Sequence, residues 1–185
     1  MPALYIDMNY IKTDIEGPVI IEPRVFGDER GYFFESFREN EFEENVAQIK
    51  FVQDNESWSA KRGVLRGLHF QKGEHAQAKL VRVAKGRVQD VAVDLRDGSP
   101  TFGKYVTVVL DAASHRMLYI PRGFAHGYAV LEDDTVFQYK CDRYYHPASE
   151  GGYRWDDPAF GIKWMLDPSE IILSAKDAAA PFFNR

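Results

Sequence analysis

The chain has 185 residues, of which 45% are hydrophobic, 28% charged and 14% aromatic, with a formal net charge of −5. That length makes about one domain, which buries roughly two-thirds of the surface its unfolded chain exposes and needs no staples. The negative charge excludes a general nucleic-acid or acidic-membrane binder, which needs a broad basic face, so any phosphate site is local.

Cys141 is the single cysteine, so no internal disulfide and no thiolate-type zinc site can form. Met1-Pro2-Ala3-Leu4 lacks a basic region followed by an apolar leader, and no apolar run approaches the ~20 residues that span a bilayer. The expectation is one domain over residues 1–185, in the cytoplasm.

In chain order, 19–21 is a short apolar run stopped by Pro23, and FGDERG at 26–31 reads as a turn before a strand over 32–37. Glycine and aspartate supply the turn chemistry, and the aromatics that follow suit a half-buried pleated surface. Asn40 and Glu43 stand at capping-box spacing, and Phe42, Val46 and Ile49 recur at helical spacing, which predicts the only substantial helix. Short strands then follow over 51–58, 64–70, 78–84, 87–96, 105–110, 116–120, 127–131 and 135–141, punctuated by Asp97-Gly98-Ser99-Pro100 and Glu132-Asp133-Asp134. So many short strands with so little helix between them predict an all-β sandwich or barrel rather than a parallel α/β sheet. The stretch 151–185, with Trp155, Trp164 and three prolines, reads as irregular chain packed on the body.

Residues 63–79, GVLRGLHFQKGEHAQAK, set Arg66, His69, His75 and Lys79 among Val64, Leu65, Leu68 and Phe70. Cations are costly in such surroundings unless paired or employed, and the cluster suggests an anionic small molecule. On regular strands Lys79 shares a face with Val81 and Val83, Tyr139 with Phe137 and Cys141, and His69 with Leu65. Lys79, Tyr139 and His69 can then converge in one cup. Arg66 falls on the opposite face from His69 unless Gly67 marks a bulge.

Three constellations carry chemistry. Pro121-Arg122-Gly123-Phe124-Ala125-His126-Gly127 has the P-x-G-x-x-H pattern of the second cupin motif and fits a jelly-roll turn, but the H-x-H and glutamate of a metal-binding first motif are missing. His69 with Lys79 and Tyr139 suits acid/base work beside a carbonyl: a base near neutral pH, an oxyanion cation and a proton donor. Singly, such a histidine is as readily a hydrogen-bonded core residue, and a buried tyrosine usually just finds a partner for its hydroxyl. Arg30, Arg66 and Lys176 are candidate anion binders, with plain surface charge the ordinary alternative for Arg30 and Lys176. Asp177, three residues after Ser174, either closes a helical turn or orients an imidazole.

The segments FGDERGYFFES, FVQDN, GVLRGLHFQ, QAKLVRV, DLRDGSPTFGKY, IPRGFAHGY, QYKCDRYYHP and LSAKD together resemble the dTDP-4-dehydrorhamnose 3,5-epimerase family over nearly the whole chain. The resemblance implies a cupin-type jelly roll with a few short peripheral helices, no metal and no cofactor, and a homodimer with exchanged strands. It implies a dTDP-linked 4-keto-6-deoxyhexose as substrate. It makes His69 the base, Tyr139 the acid, Asp177 the partner of His69 and Lys79 the cation near the C-4 oxygen, with His126 a further contact. Arg30 and Arg66 would hold the diphosphate, and Glu35, Gln53, Asn55 and Phe26 would meet the nucleoside. Tyr145, Glu150 and Lys176 are further binding positions by the same transfer. Glu56, Trp58 and Cys141-Asp142-Arg143 depart from the family pattern. A C-3-only epimerase of another dTDP-ketosugar, a metal-dependent cupin oxygenase or isomerase, and a non-catalytic nucleotide-sugar binder are the competing readings.

Overall fold

The computed structural model describes residues 8–184, so the Met1-Pro2-Ala3-Leu4 start lies outside the described residues. In chain order the strands are β1 Asn9–Lys12, β2 Val19–Glu22, β3 Phe26–Asp28, β4 Gly31–Phe33, β5 Gln53–Ser59, β6 Leu65–Gln71 and β7 Lys79–Lys85. There follow β8 Arg87–Asp94, β9 Tyr105–Asp111, β10 Met117–Ile120, β11 Phe124–Val130, β12 Thr135–Cys141 and β13 Glu150–Gly152. The helices are α1 Glu39–Asn45 and α2 Ala175–Ala178.

Two antiparallel sheets form the body, one ordered β1-β2-β10-β7-β12-β5 and the other β13-β6-β11-β8-β9, with β3-β4 as a separate hairpin. Between them lies a core of Val81, Val83, Leu118, Ile120 and Phe137 from the six-stranded sheet against Val88, Ala92, Val106, Val108, Leu110, Phe124, Tyr128 and Val130 from the five-stranded one. Alternation of side chains along each strand sends the intervening residues outward. On the six-stranded sheet these are Ile21, Leu80, Met117 and Tyr119, which α1 covers through Phe42. On the five-stranded sheet Leu68, Val91, Val93 and Ala125 take Phe160, while Leu65, Ala129 and Leu131 take Leu166. The chain after β13 is thus the outer cover of that sheet, in line with its expected packing, and β11 is buried on both faces.

Several expectations need correction. The hairpin β3-β4 pairs Phe26 with Phe33 and Asp28 with Gly31, so the turn is only Glu29-Arg30 and the strand after it ends at Phe33. The helix begins at Glu39 with Arg38 as its N-cap and no side-chain cap bond, which places Asn40 inside the first turn and unable to cap it. β1 precedes the first expected strand, and the stretch 151–185 shares β13 and contains α2.

The bulge that Arg66 and His69 require is present. Leu65 pairs with Ala129 and Arg66 with Tyr128, but His69 pairs with His126, so Gly67 and Leu68 together face Gly127. Paired residues on neighbouring strands share a face, and His126 and Tyr128 are two apart; Arg66 and His69 therefore stand on the same face of β6, with Arg66 at its exposed end. Leu65, expected to share a face with His69, instead points outward to Leu166. Gly67 is needed there, with φ at +132° and a hypothetical Cβ only 2.5 Å from the Gly127 Cα. Gly67→Ala is expected to cost about 2 kcal/mol or more through strain and overpacking, read as a lower urea midpoint. A midpoint equal to wild type would show that the bulge tolerates a side chain.

Candidate active site

A cavity of about 260 Å³ opens between the sheets, lined by Gln53, Asn55, His69, Phe70, Gln71, Gln77, Lys79, Tyr139, Tyr145 and Glu150. His69 stands on β6 of the five-stranded sheet, whereas Lys79 and Tyr139 stand on β7 and β12 of the other. The histidine thus faces the tyrosine across the cavity rather than along one sheet.

His69 Nε2 lies 2.5 Å from Asp177 Oδ1, with the His69 side chain 32% exposed and that of Asp177 only 5%. Ser174 caps α2 by accepting from the Asp177 amide and donates its own hydroxyl to Oδ2 at 2.8 Å. Both sequence-level alternatives for Asp177 therefore hold: one residue closes the helical turn and orients the imidazole. Burial opposes ionisation of Asp177, but bonds from His69, Ser174 and the Gly67 backbone hold its carboxyl below the usual range. An ionised Asp177 accepts the Nε2 proton, which leaves the lone pair of His69 on Nδ1.

Beside it on β11, His126 Nε2 lies within hydrogen-bond distance of both Asp90 oxygens, at 2.9 and 3.1 Å. Burial is the main influence on His126 and lowers its pKa, so this ring is neutral near neutral pH. Lys79 makes no hydrogen bond or ion pair with another described residue; its Nζ sits 5.8 Å from the Tyr139 ring centroid. Burial pulls its pKa down, and the charges of Cys141, Asp90 and Glu150 oppose that. The Tyr139 phenol is pushed up to about 12, first by burial. Its hydroxyl bonds to no other described residue, so a neutral donor is left facing the cavity.

Over residues 12–185 the chain matches the family model described as dTDP-4-dehydrorhamnose 3,5-epimerase. The chain belongs to the dTDP-4-dehydrorhamnose 3,5-epimerase family. The Salmonella typhimurium protein of that name is 55% identical over 179 residues, which cover 96% of this chain and 97% of the relative. The crystal structure of the Elizabethkingia anophelis enzyme of the same name aligns with a TM-score of 0.91 at 52% identity, covering 95% of this chain and 96% of that one. The dTDP-6-deoxy-D-glucose-3,5-epimerase of Legionella pneumophila, solved in complex with dTDP-4-keto-L-rhamnose, aligns equally well at 0.91 and 50% identity over 95% of this chain and 93% of its own. The fold is the all-β cupin-type sandwich of these epimerases.

Of the positions transferred from the epimerase family, His69, Lys79, Tyr139, Gln53, Asn55, Tyr145 and Glu150 meet at the cavity, with Asp177 behind His69 and His126 beside it. The rim is a continuous network: Gln53 donates to Asn55 and accepts the Tyr145 amide, and Glu150 accepts the Tyr145 hydroxyl at 3.1 Å and the Lys176 ammonium. Arg66 is exposed, its Nη2 3.4 Å from the Trp58 carbonyl, and its charge lowers the Tyr139 pKa against the effect of burial. Phe26, Arg30 and Glu35 are not brought to this cavity. Phe26 and Arg30 belong to the hairpin, where Arg30 is bound by Asp28, and Glu35 is taken by Arg38 at 2.6 Å.

The family departures are absorbed structurally. Glu56 accepts from Gln138, the Trp58 indole donates to Asp134, and Asp142 pairs with Arg122 while accepting the Ala78 amide. Sequence reasoning missed Asp90 and the Tyr128–Ser57 hydroxyl pair at 2.7 Å. For Asp90 a signal existed, since VQDVAV sets a carboxylate among Val88, Val91, Ala92 and Val93. Among the described residues no group of three or more His, Cys, Asp or Glu is arranged to hold a metal, and no helix is long and apolar enough to cross a membrane.

Proposed function

We propose that this chain inverts C-3 and C-5 of dTDP-4-dehydro-6-deoxy-D-glucose to give dTDP-4-dehydro-L-rhamnose. The observation that carries the reading is the placement of an Asp177-backed His69 on one sheet opposite Tyr139 and Lys79 on the other. Protons on C-3 and C-5 are both α to the C-4 ketone, so removal of either leaves an enolate whose charge sits on the same oxygen. His69 takes the proton through Nδ1, Lys79 stabilises the oxyanion, and Tyr139 returns a proton from the opposite face of the ring. Positioned acid/base groups supply ~10² to 10⁴ in rate, and a preorganised oxyanion donor about 10² to 10³. Inversion rather than simple exchange follows from base and acid projecting from opposite sheets.

The reading includes a homodimer with exchanged strands. The hairpin β3-β4 leaves Tyr32 and Phe33 more than 60% exposed, and Phe26, Arg30 and Glu35 stand away from their own cavity. Such an arm is suited to reach a second copy, where Arg30 would meet the diphosphate and Phe26 and Glu35 the nucleoside. A cytoplasmic setting fits the single, buried thiol of Cys141. The deciding experiment is product NMR after incubating the protein with the 4-keto-6-deoxyglucose nucleotide in D₂O. Deuterium at C-3 and C-5 with both centres inverted is expected. Inversion at one carbon would make it a mono-epimerase, and dTDP binding without exchange would make it a carrier.

A further inference from the structure

The carboxamides lining the cavity are Gln53, Asn55, Gln71 and Gln77, and the glutamines all grip the backbone of the segment that joins β12 to β13. Gln53 Oε1 accepts the Tyr145 amide, Gln71 Oε1 accepts the His146 amide at 3.1 Å, and Gln77 Nε2 donates to the Arg143 carbonyl at 2.8 Å. What each has left over differs. Gln53 Nε2 is spent on Asn55, Asn55 Nδ2 turns to the Cys141 sulfur, and the half-buried Gln77 keeps only an acceptor. Gln71 is 8% exposed, and its Nε2 bonds to no other described residue. A backbone amide can only donate, so His146 fixes which end of the Gln71 carboxamide is oxygen and leaves the NH₂ group to the cavity.

In the ladder to β13, Gln71 pairs with Glu150 and His69 with Gly152, so β6 is regular between them. The two side chains therefore share a face about 7 Å apart, a span that one pyranose ring with its hydroxyls covers. A buried donor left without an acceptor is costly, and a ligand oxygen at that place supplies the missing bond. Resting on the epimerase reading, we propose that Gln71 is a specificity-determining residue: its NH₂ group donates to a ring hydroxyl oxygen, at C-2 or C-3, of the sugar whose α-protons His69 removes. Those carbons carry the free hydroxyls of a 4-keto-6-deoxyhexose attached through C-1. With Lys79 on the ketone oxygen, the ring is held at two points, from β6 on one sheet and β7 on the other. A sugar lacking the hydroxyl leaves the Gln71 donor unpaired and is used poorly.

The test compares wild type and Gln71→Met on the 4-keto-6-deoxyglucose nucleotide and on its 2-deoxy and 3-deoxy analogues, reading kcat/KM for deuterium uptake at C-5, a carbon that all three share. Wild type is expected to use one analogue about ten- to a hundredfold less well than the natural nucleotide. Gln71→Met loses about as much on the natural nucleotide and little more on that analogue, so the two losses do not add. Equal losses in Gln71→Met on all three nucleotides would leave Gln71 only its bond to the His146 amide and overturn the proposal. So would a wild type that uses both analogues as well as the natural nucleotide. A second measurement needs no variant: the ¹⁵N-labelled Gln71 NH₂ resonance of wild type shifts on adding the natural nucleotide and stays in place with the poorly used analogue. A resonance unmoved by the natural nucleotide overturns the proposal even where Gln71→Met does not fold. Wild type that exchanges no proton of the ketosugar sinks the epimerase reading instead, and the NH₂ resonance still judges Gln71.

Discussion

His69→Ala is expected to abolish solvent deuterium uptake at C-3 and at C-5 together, by a factor of at least ~10³ in each case. The common fate of two carbons is the informative part. Both α-protons flank one ketone, and among the described residues that line the cavity His69 is the one imidazole with a buried carboxylate at its back, Asp177 at 2.5 Å. If a second base served C-5, the C-5 exchange would survive the change. Asp177→Asn should lose less, because the imidazole remains and only its tautomer and orientation are released. Binding of dTDP, followed by calorimetry, should change little in either variant, since the proposal assigns His69 and Asp177 to the sugar and other residues to the nucleotide. Exchange at the wild-type rate in His69→Ala would remove the histidine from the mechanism.

Legibility in the sequence followed backbone regularity. Where strands run true, alternation put Lys79 with Val81 and Val83, and Tyr139 with Phe137, and the folded chain keeps these faces. At Gly67 the same arithmetic put His69 with Leu65, because one extra residue in β6 reverses the parity beyond it. Only a glycine flanked by functional residues hinted at that. Asp90 escaped notice for a different reason: β8 is buried on both faces, so parity alone does not tell a carboxylate aimed at the core from one aimed outward. The hairpin end was misjudged because glycine and aspartate in FGDERG fit either a long turn or a two-residue turn between short strands. That Phe26, Arg30 and Glu35 stand apart from the cavity was likewise beyond pattern reading, since it depends on where the hairpin sits in space.

Tyr139→Phe is expected to separate proton loss from inversion. The phenol is pushed up to about 12, so near neutral pH it is a donor and not a base. The ring packs beside Phe137 and under the Lys79 ammonium, contacts that phenylalanine retains. His69, Asp177 and Lys79 are left in place on their own elements, so the enolate still forms and collapses by taking the proton back from the histidine side. Deuterium then enters with retention at nearly the wild-type rate, within about tenfold, whereas inverted product falls by ~10² or more. NMR in D₂O reads both quantities in one sample. Equal losses of exchange and inversion would assign Tyr139 to binding or to the first proton transfer. The contrast tests the cross-sheet geometry itself, because only an acid on the sheet opposite the base can deliver a proton to the far face of the ring.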